Sequence, residues 1–206
     1  AFRKTVPAVI LVAMLRQMFK NKVTIGIVGD GSSGKDSLCE SVFGIQTKSK
    51  SAVAGSTDTI ESYPLGSSGA VELLNFPGFN DVRELVNNHV QERLNHSDVF
   101  IFVVDINRGV SNTDVQILES LKQKCKPILV CLNKCDLPRP NELDALKQTA
   151  YQRLIQVDSI IETILDPDPR LASNPQGTKQ VSEWVLKQIE VQNKNTAGII
   201  FNEKLF

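Results

Sequence analysis

The sequence predicts an α/β fold in three layers, a mostly parallel sheet with helices on both faces. Short apolar, β-branched runs alternate with segments of helical period, the order expected of parallel strands joined through helices. Runs such as "VTIGIVG" (23–29) and "DVFIFVVD" (98–105) are apolar at consecutive positions, as in strands buried on both faces. A length of 206 residues, with 41% hydrophobic and 22% charged, suits one large globular domain.

The elements follow in order. Residues 8–20 read as a helix that packs on or extends the domain at 21–206; a membrane-surface or partner helix is the sharper alternative. Residues 23–29 read as a strand and Ser37 to Phe43 as a helix. "TIESYPL" (59–65) and "AVELLNF" (70–76) flank Gly-Ser-Ser-Gly, a hairpin turn. Residues 81–97 have helical period, 98–105 form a buried strand, and 113–125 an amphipathic helix. Residues 126–136 read as a buried strand and loop. A helix follows at 141–157, with Asn141 as its cap. Residues 159–165 give the last strand, 166–177 a long loop, and 178–192 the last helix, with Trp184 on its apolar side.

Lys plus Arg and Asp plus Glu number 23 each, so the charge balance offers no general attraction to nucleic acid or anionic membrane. The longest apolar run, Val6 to Leu15, contains Pro7 and is too short to span a bilayer. No small-residue cleavage site follows it, which argues against a signal peptide. The chain begins without Met and reads as an excised piece of a longer protein. Cys39, Cys125, Cys131 and Cys135 form no C-x-x-C pair; they read as buried or partly buried free thiols of a reducing, cytoplasmic compartment. His89 and His96 read as surface residues of a polar helix rather than metal ligands.

The chemistry concentrates in Gly29-Asp30-Gly31-Ser32-Ser33-Gly34-Lys35, a G-x-x-x-x-G-K stretch between a strand and a helix. Backbone N–H groups wrapped round an anion require such glycines. The next helix turns its positive end toward the phosphates, and Lys35 brings a mobile charge. About one hundred residues later comes Asn133-Lys134-Cys135-Asp136, an N-K-x-D stretch ending a buried strand. The Asp136 carboxylate can accept hydrogen bonds from guanine N1–H and the 2-amino group. Adenine would leave it unpaired, a mismatch that supports strong discrimination. Asn133 and the Lys134 stem would shape the pocket.

With both motifs in this order, the chain resembles the translation-factor-related class of P-loop GTPases over roughly residues 21–165. "VVDINRGVSNTDVQILESLKQKCKPILVCLNKCD" is most similar to the Era-like and HSR1-related group. Dynamin-like and interferon-inducible GTPases are further candidates. The resemblance implies a G domain whose sheet has one antiparallel edge strand. It implies GTP/GDP and Mg²⁺ as cofactors, nucleotide at the strand carboxyl ends, and two mobile switch segments.

The family's D-x-x-G motif falls on Asn75-Phe76-Pro77-Gly78. Gly78 would offer its N–H to the γ-phosphate, and Asn75 replaces the aspartate that holds magnesium through water. The switch threonine falls on Thr57, with Thr59 as fallback. Phe79 stands where many relatives have a water-positioning glutamine, so slow hydrolysis is expected. Asp36 takes the place of a magnesium-binding Ser or Thr. The negative charge has moved from Asn75 in the second shell to Asp36 in the first. Without metal, Asp36 would repel a phosphate by roughly 4 kcal/mol at 4 Å and an effective dielectric near 20; with metal between them the sign reverses. Ser37 could supply the hydroxyl only if the loop shifted by one residue. Asp36 as natural or introduced stays open, as does the fifth family motif, for which "TILDPD" (163–168) and "LAS" (171–173) both fall in the right region.

An active GTP-hydrolysing switch is the main expectation. A pseudo-GTPase interaction module is the alternative, and a P-loop ATPase or kinase is disfavoured by N-K-x-D. Among partners, relatives suggest a homodimer across the nucleotide face, the ribosome or RNA, or a membrane periphery; the charge pattern supports none of the last three.

Overall fold

A computed structural model describes residues 22–47, 60–65, 71–79 and 87–191. The expected helix at 8–20, the Gly-Ser-Ser-Gly turn, Thr57 and Thr59 lie outside them. The strands are β1 (Val23–Gly29), β2 (Glu61–Leu65), β3 (Val71–Asn75), β4 (Val99–Asp105), β5 (Ile128–Asn133) and β6 (Ser159–Glu162). The helices are α1 (Lys35–Phe43), α2 (Asn88–His96), α3 (Asn112–Lys122), α4 (Pro140–Arg153) and α5 (Thr178–Val191), with a 3-10 turn at Ile106–Arg108. The sheet runs β2-β3-β1-β4-β5-β6, and only β2 is antiparallel to its neighbour. The mostly parallel sheet with one antiparallel edge strand is therefore present.

Strand side chains alternate between the sheet's faces, which explains the apolar runs. Phe100, Phe102, Val104, Val130 and Leu132 pack with Leu94 of α2, Ile117 of α3 and Ala150 of α4. Ile25, Ile27, Ile101, Val103 and Leu129 pack on the other face with Leu38 of α1 and Val185 of α5. Trp184 rests partly buried on this second core. Both histidines are exposed on α2. No helix among the described residues is long and apolar enough to cross a membrane.

Some local expectations shift. Asn141 is not the cap of α4: Arg139 holds that position and Pro140 opens the helix. Proline fits the first turn because its missing N–H would have no helical partner there. The last strand stops at Glu162 rather than 165, because Thr163 to Asp168 turn into the site. Cys39 and Cys131 are buried and Cys135 partly so, but Cys125 is exposed. Its backbone adopts a φ of 52° where the turn after α3 closes.

Candidate functional site

The parallel strands present their carboxyl ends along one edge, where open α/β sheets bind ligands. Gly29 ends β1, and its loop climbs over that edge into α1. Lys35 opens α1, only 6% exposed, and its Nζ donates to the carbonyls of Gly29 (3.1 Å) and Asp30 (2.8 Å). The amine thus closes the ring of Gly29–Lys35 from inside. Burial lowers the Lys35 amine to about 8, against the opposing pull of Asp36 and Asp30. Gly34 precedes α1 with a φ of 100°, and a Cβ there would overlap the Asn133 amide. Only glycine meets both demands.

Asn133 and Lys134 end β5 and reach back to that loop. Asn133 Nδ2 donates to the Ser33 carbonyl at 2.9 Å, and Lys134 Nζ to the Ser32 carbonyl at 2.7 Å. Lys134 adopts a φ of 65°, a strained conformation for a residue with a side chain. Its amine is held by Asp105 Oδ2 at 2.6 Å, from the end of β4. Arg108 follows in the 3-10 turn and pairs with Asp30 of the loop at 2.7 Å.

The segment after β6 reaches the same stretch. Leu165 N–H donates to Asn133 Oδ1 at 3.1 Å, and Asp168 N–H to Asp136 Oδ2 at 3.1 Å. "TILDPD" (163–168) thus reaches the Asn133–Asp136 stretch through two backbone N–H groups. Asp105 and Arg108 were missed from sequence, and Thr163, Leu165 and Asp168 were flagged only within one of two candidate segments. Backbone N–H donors leave no residue-type signal, whereas Asp105 and Arg108 could have been found as charged residues at the end of a buried strand.

The segment after β3 lies on the phosphate loop. Phe76 N–H donates to Ile27 O (3.0 Å) and Phe79 N–H to Gly29 O (3.3 Å). A Cβ at Gly78 would overlap the backbone of Gly31, so this approach requires glycine. Phe79 is fully buried in the core with Phe76. Its ring therefore points away from the site.

Asp36 and Asn75, far apart in sequence, are in contact. Asn75 Nδ2 donates to Asp36 Oδ1 at 2.8 Å and reaches Glu61 Oε2 at 3.4 Å. Asp36 faces the end of β3. Ser37 sits in the first turn of α1, its carbonyl accepting Ser41 Oγ at 2.6 Å. Burial first, then Asp36 and Glu61, push the nearby Cys39 thiol upward.

The comparisons agree with this geometry. A family model described as 50S ribosome-binding GTPase matches residues 24–134. The tRNA modification GTPase MnmE of Bacillus cytotoxicus is 23% identical over 151 residues, covering 71% of this chain and 32% of that protein. The chain thus spans about a third of the length of the curated relatives it matches. The crystal structure of a probable GTP-binding protein, engB, superposes with a TM-score of 0.62 at 15% identity, covering 82% of this chain and 99% of the other. A GTP-binding protein of Sulfolobus solfataricus, solved in complex with GDP, gives 0.51 at 20% identity, covering 89% and 56%.

Proposed function

The chain belongs to the family described as 50S ribosome-binding GTPase, as a GTP-binding G-domain protein, and from that premise we propose a magnesium-assisted switch that hydrolyses GTP slowly. One observation carries the reading: Asn133 and Lys134 fasten the guanine-reading loop to the phosphate loop, with Asp136 beside them. The phosphate cradle and the base selector are thereby hydrogen-bonded to each other. Neither the family match nor this geometry favours a domain that keeps the fold but binds nucleotide weakly.

In the proposed reaction, water attacks the γ-phosphoryl directly as the bond to the bridging β-phosphate oxygen breaks, releasing GDP and phosphate, and the protein contributes position and charge. Lys35 and the N–H groups of Gly31 to Lys35 hold the phosphates. Gly78, whose close approach to Gly31 supports the role, is assigned to offer its N–H to the terminal phosphate, and Thr57 is assigned to the switch. Asp136 selects guanine. Arg108 neutralises Asp30, which would otherwise place a carboxylate beside the phosphates. Phe79 is committed to the core and cannot orient water, so that group comes from elsewhere. A second copy across the nucleotide face is the source we favour.

The residues at Asp36 and Asn75 fit a divalent cation. A carboxylate is a hard oxygen donor, and the buried Asn75 Oδ1 has no hydrogen-bond partner among the described residues. Bound Mg²⁺ would neutralise charge on the β- and γ-phosphates.

Calorimetric titration with GDP, a non-hydrolysable GTP analogue and an ATP analogue, each with and without Mg²⁺, tests the reading. Micromolar or tighter guanine binding, absent for adenine and lost in Asp136→Ala, is the expected result. Equal affinity for adenine nucleotides, or no binding at all, would refute it.

A further inference from the structure

We propose that Glu61, on the antiparallel edge strand, belongs to the divalent-cation site and supplies the carboxylate that Asn75 lacks. The inference rests on the nucleotide reading above and adds a residue that the family pattern does not point to.

The strand register comes first. β2 pairs with β3 so that Glu61 stands directly opposite Asn75. Side chains of directly opposed residues share a face and touch. Here they do: the Asn75 amide nitrogen lies between Asp36 Oδ1 at 2.8 Å and Glu61 Oε2 at 3.4 Å. Tyr63, two residues along the same face of β2, donates its hydroxyl to that same Glu61 oxygen at 2.8 Å. Outer hydrogen bonds of this kind orient carboxylates at metal sites.

The second observation concerns Asn75 itself. It is 1% exposed, and its Oδ1 has no partner among the described residues. Buried amide oxygens are normally satisfied, and an unsatisfied one calls for an explanation. An amide oxygen is also a ligand that hard cations accept. The side chain thus turns its donor end to the carboxylates of Asp36 and Glu61 and keeps an acceptor end unused.

Charge gives the arrangement its consequence. The family pattern provides one carboxylate, at position 75, and a neutral hydroxyl at position 36. This chain has a carboxylate at 36, an amide at 75 and a second carboxylate at 61. The site therefore carries one more negative charge than the pattern. Without a cation that charge repels the phosphates; with Mg²⁺ it holds the ion. Nucleotide affinity should depend on Mg²⁺ steeply, and Glu61 should act with opposite signs in the two conditions.

Glu61→Gln is the test, because it removes charge and keeps shape. The readouts are GDP affinity by calorimetry across a Mg²⁺ series and in EDTA, and the electron paramagnetic resonance spectrum of Mn²⁺ in the GDP complex. The Mg²⁺ concentration giving half-maximal affinity should rise about tenfold or more, as for loss of an outer metal-site group. In EDTA the variant should bind GDP more tightly than wild type, since one repelling charge is gone. Adding Asn75→Asp to Glu61→Gln should restore the Mg²⁺ response. If Glu61→Gln does not fold, Tyr63→Phe should move the Mg²⁺ requirement in the same direction by a smaller factor. An unchanged Mg²⁺ midpoint in the variant that folds, or wild-type GDP binding indifferent to Mg²⁺, overturns the proposal while leaving guanine binding intact. No GDP binding by wild type under any condition overturns the nucleotide reading itself, and the proposal with it.

Discussion

Lys35 shows what a single buried charge imposes on function. Its amine sits inside the phosphate loop, lowered to about 8 chiefly by burial. Bound phosphates favour the charged form, so they raise its pKa. Binding then takes up a proton whenever the free protein has lost one. The sign follows: affinity is full below pH 8 and falls as pH rises above it. Between pH 7 and pH 9 GDP should weaken by about tenfold, one decade for each pH unit above the free-protein value. Calorimetry at pH 7, 8 and 9, in buffers of different ionisation enthalpy, measures both the affinity and the proton. Lys35→Arg, which stays charged, separates this effect from ionisation of the base. Equal pH dependence in the two proteins would show that Lys35 is not the source. Gly34 makes a second residue-scale case. Its φ of 100° and the overlap of any Cβ with the Asn133 amide act together. Gly34→Ala should destabilise the fold by about 2 kcal/mol or more, read as a lower Tm. A Tm within a degree of wild type would mean that the loop can relax around the methyl group.

At the scale of elements, most of the fold was legible, and what was not depended on tertiary placement, on backbone donors or on local capping. Strands β1, β4 and β5 were clear because apolar runs bounded by Gly, Asp or Asn admit few other readings. Gly29–Lys35 and Asn133–Asp136 were legible because their chemistry needs particular side chains at fixed spacing. Glu61 was not, because its place depends on which residue of β3 it faces, and register is a tertiary property. The segment from Thr163 to Asp168 was ambiguous because it works through backbone N–H groups of Leu165 and Asp168. Phe79 was read as a residue that cannot position water, and its ring is buried in the core with Phe76. Helix ends turned on local capping. At α3, Ser111 Oγ accepts from Asp114 N–H at 3.0 Å while Asp114 Oδ2 accepts from Ser111 N–H at 2.8 Å, a reciprocal cap. Ser111→Ala should therefore cost about 1 kcal/mol, or about 2–4 °C in Tm. Asn141→Ala should change stability by less than about 0.5 kcal/mol, because Arg139 occupies the cap position of α4. Thermal melts of the two variants side by side check the pair, and a larger loss at Asn141 would reverse the assignment.

For the whole molecule, the site is a device that ties distant chain segments together. The bond from Asn133 to Ser33 spans 100 residues, and the Asp36–Asn75 contact spans 39. Loops from β1, β3, β4, β5 and β6 all converge on one edge, and no single element holds the ligand. Partial unfolding of any of them should therefore release nucleotide, so nucleotide should stabilise the domain as a unit. A ligand that binds only the folded state adds about 2.7 kcal/mol at one hundred times its Kd. For a domain of this size that corresponds to roughly 5–10 °C in Tm. GDP with Mg²⁺ should raise a single cooperative transition by that amount, and ADP with Mg²⁺ should not raise it. Far-ultraviolet circular dichroism and Trp184 fluorescence report on different parts of the fold, since Trp184 lies on α5 against one of the two cores. The two signals should move together with added GDP. If fluorescence alone shifted, or if the transition split in two, nucleotide would be stabilising a local region, and the view of one ligand closing one cooperative domain would fail.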